Sequence, residues 1–165
     1  MVYILMGVAG CGKSSVGKML SKELFKPFID ADSFHSSKNI EKMKNGKPLS
    51  NKDRTSWLFS LNQKIMEWNK AKGAVLACSA LKESYRIILA KGNDVHFIFL
   101  DGEKELIMER VSSRKGHFFS AKLLKTQFNI LEKPAYGMQV SITQSVQEIC
   151  QEILDILENT NAKRK

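Results

Sequence analysis

Glycine, lysine and hydroxyl residues crowd into one short segment, GVAGCGKSS, from Gly7 to Ser15. Its spacing fits GxxxxGK(S/T), with Gly7, Gly12, Lys13 and Ser14 at the fixed positions. Glycines lack a Cβ, so successive backbone N–H groups can turn into one concavity at the start of a helix and hold phosphate oxygens there. Lys13 adds a mobile positive charge for the terminal phosphates, and the Ser14 hydroxyl can ligate magnesium. The chemistry expected of the segment is the anchoring of a nucleoside triphosphate.

Other residues supply what a triphosphate alone lacks. Asp30 and Asp32 lie two apart, so on a strand they face the same side: one carboxylate can turn to hydrated magnesium and the other to an acceptor hydroxyl as general base. Arg54, after Asp53, could grip an anionic substrate. Arg110 and Arg114 flank a basic segment, and at least one is expected to neutralise charge on a transferring phosphoryl group. His35, His96 and His117 show no metal-ligand spacing, and His96 sits inside an apolar run as a structural residue. Cys11, Cys78 and Cys150 form an odd, scattered set without a CxxC pair, which argues for reduced thiols rather than a disulfide framework or zinc site.

The elements that must position these groups are legible in the apolar pattern. VYILMGV (Val2 to Val8) reads as a strand buried on both faces, and Val16, Met19, Leu20 and Leu24 mark one face of a helix beginning near Lys13. PFIDAD (Pro27 to Asp32), AVLACSA (Ala74 to Ala80) and VHFIFLDG (Val95 to Gly102) read as further strands, with a short fifth near Met138 to Ile142. Strands alternating with helices through right-handed crossovers predict an α/β fold, a parallel sheet covered on both faces. Ligands bind such sheets at the carboxyl ends of the strands. That places Gly7 to Ser14, Asp30 with Asp32, Cys78 with Ser79, and Asp101 on one rim.

Two segments interrupt the alternation. Residues 34–72 form a helical insertion whose stripe of Trp57, Leu58, Leu61, Ile65 and Trp68 is assigned to core rather than to a ligand shelf. Residues 113–127 are basic and glycine-containing, and suit a mobile cover or lid. The last helix presents Val146, Ile149, Ile153, Leu154 and Leu157 on one side, with Ser145 and Glu148 spaced as a capping box.

A chain of 165 residues, 43% hydrophobic and 26% charged, is expected to be one folded domain. It has no basic leader before its apolar start and no window long enough to span a bilayer, so export and membrane insertion are rejected and a cytoplasmic protein is expected. The net charge of +9 suits anionic small substrates. Nucleic-acid binding is a remote alternative, because only Lys163 to Lys165 cluster. A GTPase is disfavoured: NKDR at Asn51 to Arg54 has arginine where the NKxD motif needs aspartate.

The chain resembles the gluconokinase family through GVAGCGKSSVG, DADSFHSSKNIEKMKNGKPLSNKDRTSWL, CSALKESYR and RKGHFFSAKLLKTQFNILEKP, which span most of residues 7–134. The resemblance implies ATP-dependent phosphorylation of D-gluconate to 6-phosphogluconate with magnesium, in a shikimate-kinase-like P-loop fold. It implies a cradle for ATP at Gly7, Gly10, Cys11, Gly12, Lys13, Ser14 and Ser15, with Ser14 on the metal, Asp30 orienting hydrated metal and Asp32 meeting the attacking hydroxyl. By the same analogy Arg54 meets the substrate carboxylate, Arg110 the adenine and Arg114 the phosphates, with His35, Lys82 and Arg86 as further substrate candidates. A homodimer is compatible with the resemblance; no nucleic acid or membrane is implied. Cys11 replaces the commoner serine, and AYGM follows Pro134 where an acidic GADE-like run is expected. Shikimate kinase, whose acceptor is also a polyhydroxy carboxylate, is the alternative enzyme, although CSA stands where it would want a glycine triplet.

Overall fold

The computed structural model describes residues 1–47, 49–113 and 121–162. Strand β1 (Val2–Met6) is buried at every position. Its alternating side chains enter two separate cores, Val2, Ile4 and Met6 on one face and Tyr3 and Leu5 on the other. A strand apolar on both faces belongs in the middle of a covered parallel sheet. It lies there, paired with β3 (Ala74–Ala77) and β4 (Val95–Asp101). β2 (Phe28–Asp30) adds beyond β3 and β5 (Met138–Ser141) beyond β4, giving a five-stranded parallel sheet of order β2-β3-β1-β4-β5. The α/β architecture expected from the alternation is the one found.

Helices α1 (Lys13–Glu23) and α7 (Val146–Ala162) carry Val16, Leu20, Ile149, Ile153 and Leu157 into one core. On the opposite face α3 (Asn51–Lys70) contributes Trp57, Leu58, Leu61 and Ile65, joined by Leu89 of α4 (Glu83–Ala90). Each fully buried Leu or Ile there contributes about 1.5–3 kcal/mol. Trp57, Leu58, Leu61 and Ile65 of the α3 stripe are core as their spacing predicts, Trp68 packs partly buried against them, and Trp57 differs from the expectation in also lining the cavity described below. Three shorter helices, α2 (Ser37–Lys44), α5 (Lys104–Ser112) and α6 (Ala121–Ile130), complete the described elements. Ser145 and Glu148 cap α7 reciprocally, Ser145 N–H donating to Glu148 at 2.8 Å and Glu148 N–H to Ser145 Oγ at 3.3 Å.

The second strand is shorter than its sequence suggests. It ends at Asp30, and Ala31–Phe34 form a 3-10 turn. Asp30 Oδ1 accepts the Asp32 N–H at 3.0 Å, and this cap turns the chain out of the sheet. Asp30 and Asp32 are therefore not neighbours on one strand face. The third strand likewise stops at Ala77, ahead of Ala80 with its φ of 43°. Of the expected lid, residues 114–120 lie outside the described residues, and Ala121 to Gln127 open α6. Among the described residues no helix is long and apolar enough to cross a membrane.

Candidate active site

A cavity of about 410 Å³ opens at the carboxyl ends of β1, β2 and β3. Its floor is the loop between β1 and α1. Gly10 adopts a φ of 84°, and a Cβ there would stand 2.4 Å from Val111 Cγ2, so a side chain would push the loop off α5. Gly12 caps α1 with a φ of 102° and no side-chain bond, which leaves the first-turn amides of Lys13, Ser14 and Ser15 for a ligand. Lys13 Nζ arches back over the loop, donating to the carbonyls of Gly7 and Val8 at 2.9 Å each. Exposed Ser14 and Ser15 line the cavity beside it.

Asp30 and Asp32 form the facing wall, one from the end of β2 and one from the 3-10 turn. The Asp32 side chain is 74% exposed yet stands in a cleft. Partial desolvation by the walls raises its pKa, the Asp30 charge adds to this, and Lys13 opposes both. His35, buried, stacks on Trp57 with ring centroids 4.2 Å apart and holds Nε2 3.7 Å from Asp32 Oδ1. Burial first, and then the Arg54 charge, lower its pKa to about 4, with Asp30 opposing; the imidazole is neutral at pH 7. Its Nδ1 is buried without a hydrogen-bond partner.

The insertion supplies a third wall from Met43, Lys47, Leu49, Arg54 and Trp57. Trp57 is both core and wall: its indole N–H donates to Ala31 O at 3.1 Å and steadies the turn that carries Asp32. Arg54 lies 6.0 Å over the Tyr85 ring, with its guanidinium 3.5 Å from the Tyr85 hydroxyl. Helix α6 closes the cavity with Leu123, Thr126, Gln127 and Ile130, a spacing that puts them on one helix face. Positive charge from Lys13, Lys47 and Arg54 thus surrounds two carboxylates, a setting for an anionic ligand with one hydroxyl near a base.

The structure brings together Gly10, Gly12, Lys13, Ser14, Ser15, Asp30, Asp32, His35 and Arg54. Gly7 stays beneath, donating its N–H to Ser79 O at 3.2 Å. Cys11 is buried under the loop, so its thiol does not face the large cavity. Of the remaining rim residues Ser79 lines the cavity and Cys78 does not; burial pushes the Cys78 thiol up to about 12. Asp101 is turned away into an ion pair with Lys133 at 2.9 Å. Arg86 is also off the cavity: Glu83, the Tyr136 hydroxyl and the carbonyls of Ala80 and Leu81 take its donors, and it is 1% exposed. Lys82 caps α4 and its Nζ lies over the Tyr85 ring, 5.9 Å from the centroid, rather than lining the cavity. Arg114 lies outside the described residues.

Arg110 lines a second cavity of about 350 Å³, with Ser113, the Gln144–Val146 turn and Ile149. Its guanidinium donates to Ile142 O at 2.8 Å. Gly10, Gly12 and Ser15 line both cavities, so the two meet across the phosphate loop. A metal would find Ser14 on one side and Asp30 and Asp32 on the other. Among the described residues no cluster of three or more His, Cys, Asp or Glu could cage an ion. That donor set suits magnesium, which keeps its waters and takes one or two protein oxygens beside phosphates.

Lys47, Tyr85 and Gln127 line the cavity although nothing in their spacing singled them out. Lys47 and Tyr85 stand inside segments recognisable as a group, NGKPLS and CSALKESYR, and Gln127 follows Leu123 by one helical turn. Their placement depends on how the insertion, α4 and α6 pack.

The shikimate kinase family profile matches residues 9–158. The thermoresistant gluconokinase of Escherichia coli is 38% identical over 162 residues, covering 94% of this chain and 93% of its own. The thermosensitive gluconokinase of the same organism is 46% identical over 134 residues, 80% of this chain and 72% of its own. The crystal structure of a gluconokinase from Sinorhizobium meliloti superposes with a TM-score of 0.84 at 35% identity, covering 99% of this chain and 97% of that one.

Proposed function

The chain belongs to the gluconokinase family of shikimate-kinase-like, ATP-dependent P-loop kinases, and on that premise we propose that the cavity transfers the terminal phosphoryl group of ATP to D-gluconate. The observation that carries this reading is the facing of Lys13 and the loop amides with Asp32, across a cavity that also holds Arg54. The triphosphate lies on the amides of Gly10 and Gly12 to Ser15, with Lys13 leaving the loop carbonyls for the terminal phosphates. The base lies in the second cavity, between Arg110 and the Gln144–Val146 turn, because that space continues from the same loop. Arg54 and Lys47 take the gluconate carboxylate.

Asp32 accepts the proton of the attacking hydroxyl as its oxygen bonds to the γ-phosphorus; the bond from that phosphorus to the bridging oxygen breaks and ADP leaves. Its raised pKa makes it a better base than an ordinary aspartate. Magnesium, held by Ser14 and through water by Asp30, would neutralise charge on the phosphates. Neutral His35 packs against Asp32 and limits the room beside it. Residues 34–72 act as the substrate clamp and 113–127, with Arg114, as the cover of a single kinase domain. The proposed setting is the cytoplasm, supported by Cys11, Cys78 and Cys150, all free and buried. No membrane or nucleic acid is needed for this chemistry, and a homodimer is compatible with it.

Coupled ADP release, measured with gluconate, shikimate, other aldonates and nucleoside monophosphates, tests the assignment. Gluconate should give the highest kcat/KM. A preference for shikimate or for a nucleoside monophosphate would overturn it.

A further inference from the structure

Gln127 lies on α6, far in sequence from the phosphate loop. Its Oε1 accepts the Ala9 N–H at 2.6 Å, a bond across 118 positions of sequence. A backbone amide can only donate, so this bond fixes which end of the carboxamide meets the loop: the carbonyl is committed to Ala9, and the NH2 end has donors alone to offer. Gln127 also lines the large cavity, with Lys13 and Asp32. Neither Gln127 nor Lys13 lines the cavity at Arg110.

The end of the loop matters. Ala9 sits between Val8, whose carbonyl receives Lys13 Nζ, and Gly10; the α1 amides begin beyond it. Gln127 therefore stands where the Lys13 charge stands, at the terminal-phosphate end. A group that only donates pairs with acceptor oxygens, and beside an ammonium at the terminal-phosphate end the acceptor it suits best is a charged phosphoryl oxygen.

We propose that Gln127 is a further catalytic residue, its carboxamide NH2 donating to an oxygen of the phosphoryl group in transfer while its carbonyl holds the loop at Ala9. This rests on the kinase reading of the site. No bond is made or broken at Gln127. It holds an oxygen of the phosphoryl group so that the phosphorus faces the acceptor hydroxyl, and it ties α6 to the loop that α6 covers.

The decisive variant is Gln127→Glu, which keeps an acceptor for Ala9 and replaces the donors by a carboxylate oxygen. Calorimetry with a non-hydrolysable ATP analogue and with ADP, both with magnesium, should show analogue affinity falling at least ~10-fold and ADP affinity unchanged, as for loss of one charge-assisted hydrogen bond. With gluconate, kcat should fall ~10–100-fold while thermal unfolding is unaltered. Gln127→Met, of similar length and without donors, should lose analogue affinity in the same sense and guards against misfolding of the first variant. Wild-type analogue affinity and kcat in Gln127→Glu would overturn the proposal and leave Gln127 a strut for the loop. Nucleotide binding needs no acceptor, so selective loss of analogue binding in a protein that phosphorylates no sugar acid would support Gln127 and refute gluconate.

Discussion

Asp32 shows how a single residue can be found by its spacing and misplaced by it. Its pairing with Asp30 is visible in the sequence, but the geometry behind it is a capped 3-10 turn rather than one strand face. Both carboxylates reach the cavity all the same. Replacing Asp32 by Asn should cut turnover by ~10²–10⁴-fold, the usual contribution of a general base, while calorimetry finds ATP still bound. Turnover near that of the wild type would remove Asp32 from its role. His35 makes a different prediction. The fold favours its neutral form, lowering its pKa from 6.5 to about 4. Between those values the unfolded chain binds a proton that the folded chain does not, so this contribution is complete above the ordinary histidine value and is lost as pH falls toward about 4. It amounts to at most about 3 kcal/mol. Urea unfolding of His35→Asn across that window should give a flatter dependence of stability on pH; an unchanged slope would assign the loss to other groups.

At the scale of elements, the insertion works by holding α3 at its first turn. Ser50 Oγ accepts the Asp53 N–H at 3.2 Å, Asp53 Oδ2 accepts the Ser50 N–H at 3.0 Å, and Lys42 from α2 reaches the same carboxylate at 2.7 Å. The Lys42 bond, with those from Ser50, holds the Asp53 carboxyl well below its usual range. Arg54 is the next residue, so the cap that begins the helix also aims the cavity's guanidinium. Ser50→Ala should cost about 1 kcal/mol in thermal unfolding and raise the KM for gluconate, with the KM for ATP unmoved. Equal effects on both substrates would separate the cap from the acceptor site. The motif SNKD carries this signal as plainly as Ser145 and Glu148 carry that of α7. The partner Lys42 has no such signal, because its distance from Asp53 depends on the turn between two helices.

Across the whole molecule, the central sheet and its two cores fix the site from behind. Leu61 is fully buried on the α3 side, in the cluster that includes Ile4 and Leu76. Truncation to Ala should cost about 2–5 kcal/mol in chemical unfolding, through lost burial and a residual cavity. A cost no larger than that of a surface change would contradict the packing of α3 on the sheet. What the sequence by itself determined is local: a phosphate loop between strand and helix, a parallel sheet written in runs apolar on both faces, and a site at the strand ends. These follow because backbone conformation and side-chain period are set by neighbouring residues. Only the tertiary structure decided that Arg86 is consumed by Glu83 and Tyr136, that Asp101 turns to Lys133, that Trp57 serves core and wall together, and that Gln127 meets Ala9. Such partners are chosen by the packing of elements distant in the chain, and no period or spacing along the sequence encodes that choice.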